Sequence, residues 1–314
     1  MRIHAGDNQL EIAAPAKINL FLELIGKRGD GFHEIETLMT SVSVFDRLRF
    51  TRRRASASRL RIQLGGPRRL PAEIDEIPTD ERNLILRAIH LVRETAQHEL
   101  GTTVCEHGFD IELQKNIPSA AGLGGASSDA AAALVAANRM WNLNWSTEKL
   151  SGLAARLGSD IPFFLYGGTT VCRGRGELIE PISAPAGIPI VIAKPNVALS
   201  TADVFRAVDL SHNASSNSEC LRSRLWKFRS PEFGRHLFNR LQQFAEPLTD
   251  QIGRLAHEFS RLNCVGHQMS GSGSSYFGVF ASRQAAFQAT QRLSARLPDV
   301  RMFCSQTLRP AVSF

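Results

Sequence analysis

Length, composition and charge limit what this chain can be. It has 314 residues, 43% hydrophobic and 21% charged, which is ordinary for a globular protein and favours two domains over one. No apolar run reaches membrane length, so we expect a cytoplasmic protein outside the membrane. Five dispersed cysteines without a C-x-x-C pair argue against a disulfide framework or a zinc site. The net charge of +7 permits nucleic acid or an anionic substrate as partner, but the arginine clusters match no nucleic-acid motif.

The first hundred residues alternate between strand and helix patterns. Residues 10–28 predict a pair of short strands with a break around Pro15, and residues 29–53 begin as a glycine-bearing loop and continue into an apolar strand. Residues 61–81 are rich in proline and glycine, which indicates a turn-rich connection. Residues 82–100 predict a helix whose apolar face is formed by Leu84, Ile85, Ala88, Leu91 and Val92.

A glycine-rich segment at residues 118–128 joins a predicted strand to a predicted helix. Before it, Phe109, Ile111 and Leu113 alternate with polar residues, and after it residues 129–143 are rich in alanine. A turn of this kind points unpaired backbone N–H groups outward, and the helix dipole adds partial positive charge there. We therefore expect an anion at this turn, most often a phosphate, which glycines allow the backbone to approach closely.

Two familiar phosphate signatures do not fit this segment. The loop G-x-x-x-x-G-K-[ST] requires a lysine after its last glycine, where Ala126 follows Gly125. The dinucleotide fingerprint G-x-G-x-x-G requires a glycine where Ser127 stands. A helix that merely begins with a serine cap and a flexible turn is a second interpretation. The segment by itself predicts a phosphate site without naming the ligand.

The second half of the chain adds helices and then changes pattern. Residues 144–158 predict a helix capped by Ser146 or Thr147 and ended by Gly158, and residues 159–168 open another with a proline in its first turn. Mixed strands and helices without strict βαβ alternation favour an α+β fold with a domain boundary near residue 170. The later segments are strand-like at 169–182 and 188–196, a polar loop at 210–220, helical at 238–263, a glycine-rich hairpin at 266–282 and an amphipathic helix at 283–298.

Three motifs in this order resemble those of the GHMP small-molecule kinases, named after galactokinase, homoserine kinase, mevalonate kinase and phosphomevalonate kinase. They are PAKINLFLELIGKRGDGFHEIETLM at 15–39, PSAAGLGGASSDAAAAL at 118–134 and SGSGSS at 270–275. The first motif, with LGSDIPFFLYGG at 157–168, is similar to the branch acting on 4-diphosphocytidyl-2-C-methyl-D-erythritol. The similarity covers nearly the whole chain.

The resemblance implies a fold and an activity. The fold is a two-domain α+β GHMP kinase: residues 1–170 form an ATP-binding and catalytic domain like domain 2 of ribosomal protein S5, and residues 171–314 form a ferredoxin-like domain that contributes to substrate binding. The activity is phosphorylation of the substrate's 2-hydroxyl by ATP, with Mg²⁺, in the non-mevalonate route to isoprenoids. The implied partner is therefore a small cytidine diphosphate-linked alcohol, not nucleic acid or membrane.

The resemblance also assigns the catalytic and ATP-binding residues. Asp160 matches the base that accepts the hydroxyl proton, and Lys17 matches the lysine that pairs with it and steadies the developing charge. As alternatives, Asp160 is only a helix cap and Lys17 a solvent-exposed lysine on an edge strand. A serine hydroxyl at Ser127 or Ser128 matches a Mg²⁺ or phosphate contact. The ATP positions are Asn83, Lys115, Pro118, Gly122, Leu123, Gly124, Gly125, Ala126, Ser127 and Ser128, where Ala126 replaces the usual glycine.

The substrate-binding residues follow from the same resemblance. Phe32, where a tyrosine is common, and Phe205 match the two faces that stack on cytosine, and ordinary core packing is the alternative for both. Asn19 and His33 match contacts to the methylerythritol compound, and Thr201 is a second polar contact. Gly271 and Gly273 belong to the third motif, whose loop closes on the substrate phosphates, and a hairpin without function is its alternative.

Two other functions are compatible with parts of this sequence. A GHMP kinase for mevalonate, homoserine or a sugar is disfavoured by the Phe32 and Phe205 pair, because those substrates carry no base to stack. A basic RNA-binding module with an S5-like fold would bind in a salt-dependent way and would not need Lys17 or Asp160.

Overall fold

Two sheets with helices packed against them organise the chain, as the α+β prediction requires. The computed structural model describes residues 1–6, 8–65, 77–101, 105–209 and 219–310. In these ranges the strands are β1 (Arg2–Ala5), β2 (Gln9–Lys27), β3 (His33–Arg53), β4 (Arg59–Leu64), β5 (Gly108–Lys115), β6 (Thr169–Arg173), β7 (Leu178–Pro181), β8 (Pro189–Lys194), β9 (Phe238–Asn239), β10 (Gly266–Met269), β11 (Tyr276–Val279) and β12 (Arg301–Gln306).

The helices agree with the sequence patterns in most places. Ser146 caps the third helix through the Lys149 N–H, and Gly158 ends it, as expected. Within the described ranges every helix is too short or too polar to cross a bilayer. The helices are α1 (Leu84–Leu100), α2 (Gly125–Met140), α3 (Thr147–Leu157), α4 (Ile161–Tyr166), α5 (Thr201–Arg206), α6 (Glu219–Arg222), α7 (Pro231–Arg235), α8 (Gln242–Ala245), α9 (Asp250–Ser260) and α10 (Arg283–Arg296), with 3-10 turns at Leu225–Lys227 and Glu246–Leu248.

Strand β2 corrects one prediction. Residues 10–28 were expected to form two short strands, but they belong to one continuous strand that pairs antiparallel with β3 over most of its length. The ladder shifts register between Pro15 and Ala16, and again at two later points. Proline donates no hydrogen bond to a ladder and is tolerated at such irregularities, so it bends the strand without ending it.

The first sheet contains every strand up to β7. Its order is β1-β2-β3-β5-β4, with β6 paired to β3, β7 paired to β6, and β9 paired to β2. Strand β4 was missed in the sequence because proline and glycine dominate the surrounding region, of which residues 66–76 lie outside the described ranges. Strands β6 and β7 still pair with this sheet, so the change to the second sheet falls between Pro181 and Pro189. The division into 1–170 and 171–314 stays a prediction.

The second sheet has the order β10-β11-β8-β12, and all its neighbours are antiparallel. In chain order this is a 4-1-3-2 arrangement, with α9 before its second strand and α10 before its last, as in a ferredoxin-like fold. Residues 238–263 were expected to be helical throughout, but β9 comes first and Pro247 lies in a 3-10 turn between α8 and α9. A proline removes an interior helical hydrogen bond, so the helix is interrupted there. The polar loop at 210–220 lies mostly outside the described residues.

Helix α2 lies in the middle of the first core. Its alanines from Ala130 to Ala133, together with Leu134 and Val135, have no exposed surface. Small side chains let α2 pack closely against α1, α4 and β2, which fixes where the glycine segment before it must lie.

Three buried ionisable side chains lie beneath the start of α2. The Lys115 ammonium, at the end of β5, donates to the carboxyl oxygens of Asp46 on β3 and Asp129 on α2; its nitrogen lies 2.8 Å from the Asp129 oxygen. All three side chains are less than a tenth exposed. Burial raises the pKa of Asp129 to about 8, and the neighbouring Asp46 carboxylate adds to this rise. The cluster ties β3, β5 and α2 together.

We expect Asp129 to make a contribution to the free energy of unfolding that falls as pH rises between about 4, the ordinary pKa of an aspartate, and about 8, the pKa of Asp129. In this window the folded protein holds a proton that the unfolded chain has released, so raising the pH favours unfolding, by at most about 1.4 kcal/mol per pH unit. Asp129→Asn removes the titrating group and flattens this slope in denaturant unfolding between pH 5 and 8. The exposed Asp110→Asn serves as control; an unchanged slope in Asp129→Asn would mean that other groups set it.

Candidate active site

A cleft of about 1130 Å³ lies between the glycine segment, the start of β3 and the loop between β10 and β11. It brings together residues that are far apart in the sequence. The predicted site residues on its surface are Lys17, Asn19, Phe32, His33, Pro118, Gly122, Gly124, Gly125, Ala126, Ser127, Asp160, Thr201, Phe205, Gly271 and Gly273.

Lys17 and Asp160 form an ion pair in the cleft. The lysine nitrogen lies 3.4 Å from an Asp160 carboxylate oxygen; the lysine side chain is 5% exposed and the aspartate 36%. The alternative for Lys17, a solvent-exposed lysine, is therefore wrong. Asp160 does stand at the N-cap position of α4, but its side chain makes no capping hydrogen bond. Its carboxylate is instead turned toward Lys17 and the open cleft.

A chain of hydrogen bonds orients the buried ammonium of Lys17. The lysine donates to the Asn19 side-chain oxygen at 2.7 Å, and the Asn19 amide donates to the Thr37 hydroxyl at 2.8 Å. Thr37 in turn donates to the backbone oxygen of Phe21. A buried cation is costly unless such partners satisfy it, so this chain holds the ammonium in one position. Thr37 was not predicted, because a threonine within a strand pattern carries no sequence signal of its own.

The glycine segment presents the N-terminus of α2 to the cleft. Gly124 is the N-cap residue in left-handed conformation, and no side chain caps this helix end. The interpretation as a serine-capped helix is therefore wrong. The backbone N–H groups of Gly125, Ala126 and Ser127 belong to the first helical turn, where they lack intrahelical partners and can bind an anion. Ala126 is a helical residue with an exposed side chain, so its replacement of glycine causes no backbone strain.

The third motif is hydrogen-bonded to the glycine segment. The Ser270 hydroxyl donates to the Gly122 oxygen at 3.0 Å, and the Ser275 N–H donates to the Ala121 oxygen at 3.1 Å. Asn239 donates to the backbone oxygen of Gly271 at 2.8 Å. These bonds show that the hairpin loop forms one wall of the cleft.

Aromatic rings line the other end of the cleft. The rings of His33 and Phe205 lie 5.3 Å apart, and the Arg175 guanidinium lies over the Phe32 ring at 5.0 Å. Phe32 is 51% exposed, which rules out core packing for it, whereas Phe205 also contacts the core of the second sheet. Burial, with the nearby Lys27 as a smaller cause, lowers the pKa of His33, which favours its neutral imidazole.

Four predicted residues lie away from the cleft surface. The Lys115 ammonium is bound by Asp46 and Asp129 beneath the glycine segment, and Asn83 caps α1 by accepting from the Ile85 N–H. Leu123 and Ser128 are fully buried. The backbone oxygen of Leu123 accepts from the Lys17 N–H at 3.0 Å, so this residue connects the glycine segment to β2.

The structure adds cleft residues that the sequence did not single out. Besides Thr37, these include Lys27, Arg175, Arg206 and Ser272. A hydrogen bond of 2.9 Å between the Ser272 and Thr201 hydroxyls joins α5 to the hairpin loop. The cleft can therefore bind phosphate groups at the helix start, position a hydroxyl at Asp160 and hold an aromatic ring at its far end.

Comparison with known proteins agrees with this arrangement. The model of the GHMP kinases N terminal domain matches residues 83–168, and the model of the GHMP kinases C terminal domain matches residues 225–299. The chain is 36% identical over 305 residues to the 4-diphosphocytidyl-2-C-methyl-D-erythritol kinase of Synechococcus sp. (strain JA-3-3Ab), covering 94% of this chain and 93% of that protein. The two-domain GHMP kinase fold expected from the motifs is confirmed.

Solved structures give the same result. A crystal structure of 4-(cytidine 5'-diphospho)-2C-methyl-D-erythritol kinase superimposes with a TM-score of 0.75 at 32% identity, covering 95% of this chain and 98% of that one. Homoserine kinase from Cytophaga hutchinsonii reaches a TM-score of 0.76 at 20% identity over 99% of this chain and 98% of its own, which demonstrates the shared fold alone.

We expect Gly122→Ala to displace the wall of the cleft that the hairpin loop forms at Ser270. A Cβ atom there would lie 2.0 Å from the Ser270 backbone oxygen, and the residue has a φ of +70°, which disfavours any side chain. We expect ATP affinity to fall at least about tenfold by calorimetry, since a displacement of this wall costs more than about 1.4 kcal/mol. The control is Gly152→Ala on the exposed side of α3, where nothing lies within 4 Å and ATP binding should be unchanged. Wild-type affinity in Gly122→Ala would contradict this role of the glycine.

Proposed function

This chain belongs to the GHMP kinase family, and we infer that it is the kinase that transfers a phosphoryl group from ATP to the 2-hydroxyl of 4-diphosphocytidyl-2-C-methyl-D-erythritol. The products are the 2-phosphate and ADP, in the non-mevalonate route to isoprenoid precursors. Relatives of this activity match nearly the whole chain. The observation that carries the phosphoryl-transfer activity is the ion pair of Lys17 and Asp160, which lines one cleft together with the start of α2.

The proposed reaction follows from the charges around this pair. Asp160 accepts the proton of the 2-hydroxyl as the hydroxyl oxygen forms a bond to the γ-phosphorus of ATP and the bond to the β-phosphate bridging oxygen breaks. Lys17 stabilises the negative charge that develops on the transferred group and keeps Asp160 oriented. The backbone N–H groups at Gly125 and Ala126 bind the phosphates of ATP, aided by the helix dipole.

Mg²⁺ is part of the proposal. Among the described residues no group of three or more His, Cys, Asp or Glu side chains could hold a metal by itself. Mg²⁺ bound to nucleotide phosphates needs only one or two protein oxygens and keeps several waters. The Ser127 hydroxyl, on the cleft surface, would suit such an ion, whereas Ser128 is fully buried. When bound, Mg²⁺ neutralises charge on the phosphates.

The cytidine end of the substrate would lie among the aromatic residues. Cytosine would stack between Phe32 and Phe205, with His33 and Thr201 supplying polar contacts. Residues 1–170 would bind ATP and carry out catalysis, and residues 171–314 would complete the substrate pocket. The need for ATP supports the cytoplasm as the location. Neither nucleic acid nor membrane is required by this reaction.

The first experiment is a substrate panel. ADP release with Mg²⁺ and ATP is measured with 4-diphosphocytidyl-2-C-methyl-D-erythritol beside mevalonate and homoserine. We expect turnover only with the cytidyl compound. Turnover with another alcohol would leave the catalytic pair in place and overturn the substrate assignment, whereas salt-dependent RNA binding without turnover would favour the RNA-binding alternative.

Asp160→Asn should reduce kcat by about 10²- to 10⁴-fold, because an amide cannot accept the hydroxyl proton. The KM for ATP should change only a few fold, since the phosphates bind at the helix start. The control is Asp110→Asn, an exposed carboxylate on β5 that pairs with Arg53. If Asp160→Asn retained wild-type kcat in the ADP-release assay, Asp160 would not be the base.

Phe205→Ala should raise the KM for the cytidyl substrate about fivefold to a hundredfold, because stacking on a base is worth about 1–3 kcal/mol. The KM for ATP should not change. Phe205→Leu keeps apolar contact with the core and loses the stack, so it should show most of the same effect. Phe287→Ala, a 56% exposed phenylalanine on α10, is the surface control. Equal rises in both KM values would indicate a packing role for Phe205.

A further inference from the structure

Arg175 occupies a place in the cleft that the proposed reaction has not yet used. Its side chain is 29% exposed, and its guanidinium lies over the Phe32 ring at 5.0 Å. Its Nε forms an ion pair with the Glu177 carboxylate at 3.6 Å, which is longer than a hydrogen bond. The guanidinium therefore retains donors that can reach a ligand.

A hydrogen-bonded turn positions this arginine. Gly174 and Gly176 flank Arg175 with φ values of +73° and +117°, and the Gly176 N–H donates to the Arg173 oxygen at 3.1 Å. The Gly174 oxygen accepts from the Ile35 N–H at 2.8 Å, which ties the turn to the start of β3. The turn is thus fixed to the strand that follows Phe32.

The same turn lies against the catalytic carboxylate. A Cβ atom at Gly176 would lie 3.6 Å from an Asp160 oxygen, so the backbone of the turn approaches Asp160 closely. Arg175 consequently stands between the aromatic end of the cleft and the position where the hydroxyl is phosphorylated. In the proposed substrate, that interval between cytidine and alcohol is occupied by the diphosphate.

The other cations of the cleft are less suited to this group. Lys17 is engaged by Asn19 and Asp160, and Arg206 pairs with Asp203 at 2.6 Å. Lys27 is exposed at the end of β2. A half-buried guanidinium offers a planar fork of donors that matches two phosphate oxygens at once, and it is weakly hydrated, so its partial burial costs less than that of an ammonium.

We propose that Arg175 is a specificity residue that binds the diphosphate of a nucleoside diphosphate-linked alcohol while its guanidinium packs on Phe32. The inference rests on the proposed function, since it assigns a group to that substrate. It explains how one site favours a cytidine diphosphate compound over small alcohols without a diphosphate. The arginine contacts the substrate and not the transferred phosphoryl group, so it acts on binding more than on kcat.

The test measures binding of CDP and cytidine by calorimetry and the steady-state kinetics of the same variants. We expect Arg175→Gln to weaken CDP binding about ten- to a hundredfold, as for loss of a charge-assisted hydrogen bond, and cytidine binding less than about threefold. Arg175→Lys, which keeps the charge and loses the fork, should fall between. The KM for the cytidyl substrate should rise in parallel with the loss of CDP affinity, with kcat within about threefold.

The matched control is Arg173→Gln, two residues earlier, where the arginine pairs with Glu36 and Glu180 outside the cleft. It should leave CDP affinity within about threefold of wild type. Equal losses of affinity for CDP and cytidine in Arg175→Gln would mean that the arginine only supports Phe32. An effect confined to kcat would mean that the arginine stabilises the transition state instead of binding the diphosphate. Either result overturns the inference. Failure of the proposed function would appear differently, as a wild-type protein that neither binds CDP nor phosphorylates the cytidyl compound.

Discussion

The site depends on one buried positive charge, the ammonium of Lys17. It lies on the long central strand of the first sheet, almost without contact with solvent, where an unpaired charge would cost several kcal/mol. Asn19 accepts from it, Thr37 orients Asn19, and Asp160 supplies the opposing charge. The buried ammonium is therefore stable only because these side chains surround it, and its ion pair with Asp160 orients that carboxylate toward the cleft.

The glycine segment is positioned by contacts on several sides. Helix α2 anchors its end in the core through small alanines, and the Lys115 cluster with Asp46 and Asp129 binds it from beneath. The Ser270 hydroxyl binds it from the hairpin loop of the second sheet. A glycine-rich turn adopts one backbone conformation only when neighbouring residues hold it, because each glycine otherwise retains a large conformational entropy.

The cleft is a product of both sheets. Lys17 lies on the first sheet, against which α2 packs. Gly271 lies in the loop between two strands of the second sheet, and Phe205 lies on α5, which packs against the core of that sheet. Strand β9 pairs with β2 although it lies more than two hundred residues later, and Arg240 beside it binds the buried Glu23 carboxylate with two hydrogen bonds. These links connect the later part of the chain to the strand that carries Lys17.

The local features of the fold could be predicted from the amino-acid sequence alone. The period of Phe109, Ile111 and Leu113 predicted a strand, the alanines predicted a helix, and the glycines between them predicted an anion site, since each signal arises within a few residues. The ordered motifs identified the family and predicted Lys17 and Asp160 as its catalytic pair. Three features could be seen only in the folded chain: β2 is continuous, the Lys115 ammonium is bound by Asp46 and Asp129 away from the cleft surface, and Thr37 and Arg175 reach the site. These features depend on contacts between strands and loops that are distant in the sequence, and such contacts cannot be predicted from the local spacing of residues.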